Sequence, residues 1–345
     1  MKSKCLFFIS SYLLLLLFLS GPAHAQNSLQ DLYTAAKAEG EVIIWTPMDA
    51  NEIRMLTEGF YKEFPGIRVN HFEIRETDYV PRVVAEARQN IVSLDMGTTK
   101  YVAAAPLIER DLIQRHKDWT RVFNDLNPAA VSKDGRFLAN DDLAFIVAYN
   151  TSLIEPNEVP TSWDDLLAPK WRGKILVEPR ANAFAYLGLR WGKEKTVKYV
   201  QRLKAQNPRF VKGGTTLFQH LAAGAGSLAV GGYVHRVFQM QKEGAPVDWA
   251  KKVSPIGAMP QDIFVMKGAK HPNAAKLFAG WLASEKAQNI MNTKLFRGAL
   301  NPGSSYIAVR EFEKYGIEIV KENLDNYKDA VVINQLAAST LGTFK

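Results

Sequence analysis

Lys100 and Arg180 are the residues of this sequence best suited to gripping a charged partner. Each belongs to a short polar segment that follows an apolar run, Gly97-Thr98-Thr99-Lys100 and Pro179-Arg180-Ala181-Asn182. A guanidinium matches carboxylate or phosphate oxygens as a fork, and an ammonium adds a compact charge. Three further segments have the same setting. Trp45-Thr46-Pro47-Met48-Asp49 leaves an apolar run and enters a helix near Asn51, Gly213-Gly214-Thr215-Thr216 opens another helix, and Gly231-Gly232-Tyr233 follows Leu228–Val230. A helix N-terminus presents free N–H groups and the positive end of the dipole, so it favours anions and oxygen-rich ligands. Asp262 stands in a later apolar stretch. The expected ligand-binding set is Thr46, Met48, Asp49, Thr98, Thr99, Lys100, Arg180, Asn182, Thr215, Tyr233 and Asp262.

Plainer roles compete for most of these residues. Thr98, Thr99, Thr215, Thr216 and Asp49 have the side chains that cap helices. Trp45 and Tyr233 suit half-buried aromatic positions. Arg180 also suits a surface ion pair. His235 reads as a partner of its own helix's surroundings.

The elements that must hold these segments alternate along the chain. Leu29, Leu32, Tyr33 and Ala36 share a helical face that Gly40 ends. Val42–Trp45 reads as a strand buried in a parallel sheet. A helix over Asn51–Phe64 stops at Pro65-Gly66, and a strand follows over Ile67–Phe72. Tyr79–Asn90 reads as a helix and Ile91–Asp95 as a strand. Phe137–Tyr149 is a long apolar stretch, and a second lies at Val253–Met266. Strands are expected at Lys174–Val177 and Ser227–Val230, with helices near Ala183–Arg190 and Lys193–Gln206. Gly224-Ala225-Gly226 reads as a turn. Pro272 suits the first turn of a helix whose core face carries Ala274, Leu277, Phe278, Trp281 and Leu282. Beyond about residue 300 the chain reads as helical. This rhythm implies α/β architecture, with ligand-facing loops at strand C-termini.

Composition narrows the function classes. The chain has 345 residues, 43 Lys+Arg against 35 Asp+Glu, and a formal charge of +8. Lys2, Lys4, an apolar run through Leu13–Leu19 and Ala23-His24-Ala25 form an expected cleavable export signal over residues 1–25, with the mature chain starting at Gln26. The single cysteine, Cys5, lies inside that segment, so the mature chain carries no disulfide. No basic run suggests nucleic acid. The six histidines, at 24, 71, 116, 220, 235 and 271, show no metal-binding spacing, and no Gly-x-Ser-x-Gly elbow is present. A secreted hydrolase is the remote alternative.

Pro160–Ile175 reads as a short helix with its ends written in. Ser162 and Asp165 form a capping-box pattern, Pro169 stops the helix, and Gly173 turns the chain into a strand. This segment resembles the bacterial solute-binding proteins of ABC importers, in the branch that includes ferric-iron binders. Glu41–Val69, Ala148–Thr151, the glycine-rich stretch to Tyr233 and His271–Gln288 carry the same resemblance.

The resemblance implies a type II periplasmic-binding-protein fold, two α/β lobes joined by crossing hinge strands. Lobe one would span 26–138 plus about 255–300, and lobe two 139–254 plus about 301–345. It also implies a monomeric periplasmic protein, without enzymatic activity or cofactor, that delivers a ligand to an inner-membrane ABC permease. Ferric members resemble this chain but carry a histidine where Asp49 stands, a glutamate where Lys100 stands, and a tyrosine pair where Tyr233-Val234 stands. An ammonium repels a trivalent cation, which prefers anionic oxygen donors. The expectation is therefore a small organic anion, a carboxylate, phosphonate or phosphate ester, with no metal. Ferric iron held by Asp49 and Tyr233 is the alternative.

Overall fold

The computed structural model describes residues 28–343. The expected export signal, with Cys5 and the cleavage point at Gln26, lies outside them. The first half of the chain contains α1 (Leu29–Glu39), β1 (Glu41–Thr46), α2 (Ala50–Glu63), β2 (Arg68–Glu73), α3 (Glu76–Ala87), β3 (Met96–Thr99), α4 (Tyr101–Glu109), the short α5 (Trp119–Val122) and β4 (Phe137–Asn150). Then come β5 (Ile175–Val177), α6 (Asn182–Trp191), α7 (Lys193–Ala205), β6 (Arg209–Phe210), α8 (Gly214–Ala222), β7 (Leu228–Tyr233) and α9 (Val234–Lys242). The last elements are β8 (Val247–Trp249), β9 (Ile256–Val265), α10 (Pro272–Ala283), α11 (Glu285–Ile290), α12 (Ile307–Lys314), β10 (Ile319–Lys321) and α13 (Tyr327–Leu341).

Local chemistry sets many of these boundaries. The Ser28 hydroxyl accepts from Asp31 N, which starts α1, and Gly40 ends the helix at φ +77°, a left-handed conformation that suits glycine. Asp49 and Glu52 form a full capping box on α2. Pro272 occupies the first turn of α10.

The strands form one sheet in the order β2-β1-β3-β9-β4-β7-β5-β6, with β10 beside β9 and β8 beside β4. β1 runs parallel to β2 and β3, and β5 runs parallel to β6 and β7. The long strands β4 and β9 join these two parallel wings, pairing antiparallel with each other. Helices cover each wing with its own apolar core. Around β1 and β3, Phe60 meets Phe278 and Trp281 edge to face, at ring centroid distances of 4.9 and 5.4 Å. Near β5 and β7, Trp163, Phe184 and Tyr199 pack in one core, while Phe218, Trp249 and Phe312 pack in another. Burying such a side chain contributes about 1.5–3 kcal/mol.

Several expected boundaries are corrected. Ile91–Asp95 forms no strand; the strand is Gly97-Thr98-Thr99 with Met96. Asp95 lies just before the ladder, and its carboxylate accepts from Ile43 N and His271 N. A Cβ at Gly97 would come within 2.9 Å of the Phe264 ring, so this glycine marks close packing of a central strand. Gly231-Gly232-Tyr233 likewise belongs to β7. Helix α3 begins at Glu76 and passes through Pro81. The Pro160–Ile175 segment folds as two 3-10 turns, Asp164–Leu167 and Pro169–Trp171. Its capping exchange is present all the same, because Ser162 Oγ accepts from Asp165 N and Asp165 Oδ2 accepts from Ser162 N. With Pro169 so close, only a tight turn fits between cap and stop. Strand β10 interrupts the region expected to be wholly helical.

Candidate functional site

A cavity of about 910 Å³ opens between the wings, over β4 and β9. Leu143 of β4 with Met259 and Gln261 of β9 line it from the joining strands. Its charged lining comprises Arg75, Lys100, Arg180, Lys212 and Arg297 against the single carboxylate of Glu76. A concave surface bordered by low-dielectric walls concentrates such an excess of one sign.

On the second wing the polar groups are prearranged. Pro179 and Arg180 lead from β5 into α6, which starts at Asn182. Ala181 sits at φ +60°, unusual for a residue with a Cβ, and its side chain makes no cap bond. Helix α8 likewise starts without a side-chain cap, after Gly213 at φ +95°. Asn182 and Gly213 line the cavity, so two uncapped helix starts stand on its border. Arg180 Nε donates to Glu178 Oε1 at 2.7 Å, and its backbone N donates to Oε2 at 2.9 Å. No bond to the outer nitrogens of the guanidinium is present among the described residues, and the side chain is 49% exposed. Asn334 of α13 donates to the Arg180 carbonyl and to Asn182 Oδ1.

The first wing is arranged differently. Lys100 is the residue before α4, where Glu76 Oε1 lies 3.4 Å from its ammonium and Met259 Sδ lies 4.0 Å away. Asp49 Oδ1 accepts from Asn51 N at 2.9 Å and Glu52 N at 3.0 Å, so it caps α2. Thr46 is buried, shares a hydrogen bond with His71 and accepts from Met48 N. Met48 belongs to the apolar core. Thr98 and Thr99 are buried in β3, where Tyr79 Oη donates to the Thr98 carbonyl.

Of the expected residues, Lys100, Arg180 and Asn182 therefore meet at the cavity. Thr215 is exposed on the first turn of α8, outside the cavity lining. The ring of Tyr233 tilts against Phe145 and stacks parallel to His235 at 5.6 Å. Burial pushes its phenol pKa up, and burial pushes the His235 imidazole down. Val234, in the second position of the family's tyrosine pair, is fully buried in the core.

Behind the cavity lies a charged network, and Asp262, expected among the ligand-binding residues, belongs to it and not to the cavity lining. Arg297 bonds Asp141 through Nε and Nη2 and Glu52 through Nη1, linking β4 to the capped start of α2. Asp142 accepts from Lys321 and from Leu300 N. Burial raises Asp262 to about 7, and the Asp142 charge pushes the same way. Burial also raises Glu322 to about 7. Arg75, Glu76, Lys212, Arg297 and Asn334 were missed as cavity residues. Only the Lys212-Gly213 sequence carried a usable signal, a cation at an expected helix start.

Residues 56–315 match the family described as bacterial extracellular solute-binding protein. The Fe(3+)-binding periplasmic protein of Serratia marcescens is 22% identical over 283 residues, 79% of this chain and 82% of the relative. An uncharacterized Haemophilus influenzae protein is 26% identical over 178 residues; that match spans 46% of this chain and about half, 51%, of the relative. Among solved structures, iron-bound HitA from Pseudomonas aeruginosa superposes with a TM-score of 0.73 at 16% identity, covering 87% of this chain and 99% of that one. AfuA from Actinobacillus pleuropneumoniae with fructose-6-phosphate bound gives 0.64 at 18% identity, covering 88% and 99%. These likenesses share the type II periplasmic-binding-protein fold.

Proposed function

The chain belongs to the bacterial extracellular solute-binding protein family, and on that premise we propose that it captures a small organic anion in the cavity between its wings. The ligand class is a carboxylate, phosphonate or phosphate ester. The five cations of the cavity lining carry this reading, Arg75 and Lys212 standing in no ion pair among the described residues while Lys100, Arg180 and Arg297 are held by carboxylates. Arg180 offers its outer guanidinium nitrogens, Lys100 faces from the opposite wing, and the uncapped starts of α6 and α8 add N–H donors. The neighbour bound to fructose-6-phosphate supports an anionic organic ligand on this fold.

The wings act as lobes, residues 26–138 plus about 255–300 and residues 139–254 plus about 301–345. Bending of β4 and β9 closes them on the ligand, and the closed form is recognised by an ABC permease. The protein works as a monomer in the periplasm, without a cofactor and without turnover. Thermal-shift screening of carboxylates, phosphonates and phosphate esters tests the ligand class, because a ligand selective for the folded state raises Tm. A rise with at least one anion, recovered unchanged after incubation, is expected. A rise only with ferric iron and a synergistic anion overturns it.

Ferric iron as cargo is the second reading, favoured by the iron-bound neighbour and the Serratia relative. It relies on Asp49 and Tyr233. Asp49 already accepts two helix N–H groups, and burial keeps the Tyr233 phenol protonated. Iron binding through Tyr233 would give a visible tyrosinate charge-transfer band that Tyr233→Phe abolishes.

A further inference from the structure

Glu178 is the least expected residue beside a basic cavity. It follows β5, is only 5% exposed, and places a carboxylate behind the groups assigned to anion binding. Electrostatics alone would have it repel the ligand. Its bonds describe another role. One oxygen accepts from Arg180 N at 2.9 Å, and the other accepts from Arg180 Nε at 2.7 Å and Gly213 N at 3.4 Å. The same carboxylate thus ties the loop opening α6 to the loop opening α8. Both loops contain a positive-φ residue, Ala181 at +60° and Gly213 at +95°. A third segment makes room for it. A Cβ at Gly231 of β7 would come within 3.2 Å of the Glu178 Cβ.

We propose that Glu178 is the positioning residue of the anion site, holding Arg180 and the start of α8 in one geometry. This rests on the anion reading of the cavity. By engaging Arg180 at Nε, Glu178 turns the outer nitrogens toward the cavity and limits the side-chain freedom lost on binding. A gain in order outweighs the repulsion because the carboxylate is already compensated by three donors.

The test uses isothermal titration of the full mature chain with inorganic phosphate, phosphonoacetate and citrate. Glu178→Gln removes the charge, and Glu178→Asp keeps it but shortens the reach by one methylene. Both are expected to weaken the best-bound probe by about tenfold, the scale of one charge-assisted hydrogen bond. In an Arg180→Ala background, Glu178→Gln is expected to weaken binding less than it does in wild type, since only its hold on Gly213 is left to lose. Melting curves without ligand establish that each variant is folded, and either single variant suffices if the other is not. If the Gln variant binds as tightly as wild type or tighter, or if Asp fully replaces Glu, the positioning role is overturned while the anion reading stands. If wild type binds none of the probes, the anion reading fails, and the proposal with it.

Discussion

The two wings present the same sequence signal, an apolar strand followed by polar residues and a helix, yet they use those residues differently. On the first wing, Asp49 caps α2, Thr46 pairs with His71, and Thr98 and Thr99 lie buried within β3. On the second, Arg180 and Asn182 reach the cavity, and two helices start without side-chain caps. A strand-end loop can offer N–H donors to a cavity where its own side chains leave them unmatched. The first wing caps α2 with Asp49 but leaves α3 and α4 without side-chain caps, and it brings Arg75, Glu76 and Lys100 to the cavity, with Lys100 held by Glu76.

The largest effect should come from the second wing. Arg180→Ala is expected to weaken anion binding by roughly 10- to 100-fold, as loss of a charged hydrogen-bonding group does. Titration calorimetry reads it, and an unchanged Kd would erase the contrast between the wings. Lys100→Met should cost about tenfold, near the lower end of that range, because Glu76 already compensates part of its charge. Asp49→Ala should leave affinity unchanged while lowering stability by about 1 kcal/mol through the lost helix cap. Chemical denaturation alongside titration separates the two outcomes. A matching loss of affinity would return Asp49 to the binding set.

A further effect, read in stability and not in affinity, lies where the wings join. Asp262 and Glu322 have folded-state pKa values of about 7, against ordinary values of 3.8 and 4.5. Between pH 4 and 7 the folded state therefore holds protons that the unfolded chain has released. Their contribution makes stability fall as pH rises through that window and level off above it. Asp262→Asn should melt higher than wild type above pH 7, with the difference shrinking toward pH 5. A pH-independent difference would contradict the raised pKa.

Much of the scaffold was legible because it rests on local rules. Gly40, Asp49, Pro272 and the core face of α10 are readable from spacing, and the two long apolar stretches became the joining strands β4 and β9. Gly97-Thr98-Thr99 was misread because polarity suggests a loop, whereas a central strand pressed against Phe264 needs a small residue. The site was less legible for a different reason. Arg180 and Lys100 announce themselves by charge at strand and helix ends, but Arg297 and Asn334 acquire meaning only through contacts remote in sequence. Asn334 reaches Arg180 across 154 positions, and Arg297 reaches Glu52 across 245. No local pattern encodes such pairs.

Native mass spectrometry of the protein purified with whatever it carries from its host tests the central claim most directly. The account predicts an adduct with the mass of a small organic anion, lost in Arg180→Ala. A ferric adduct that survives Arg180→Ala would contradict it.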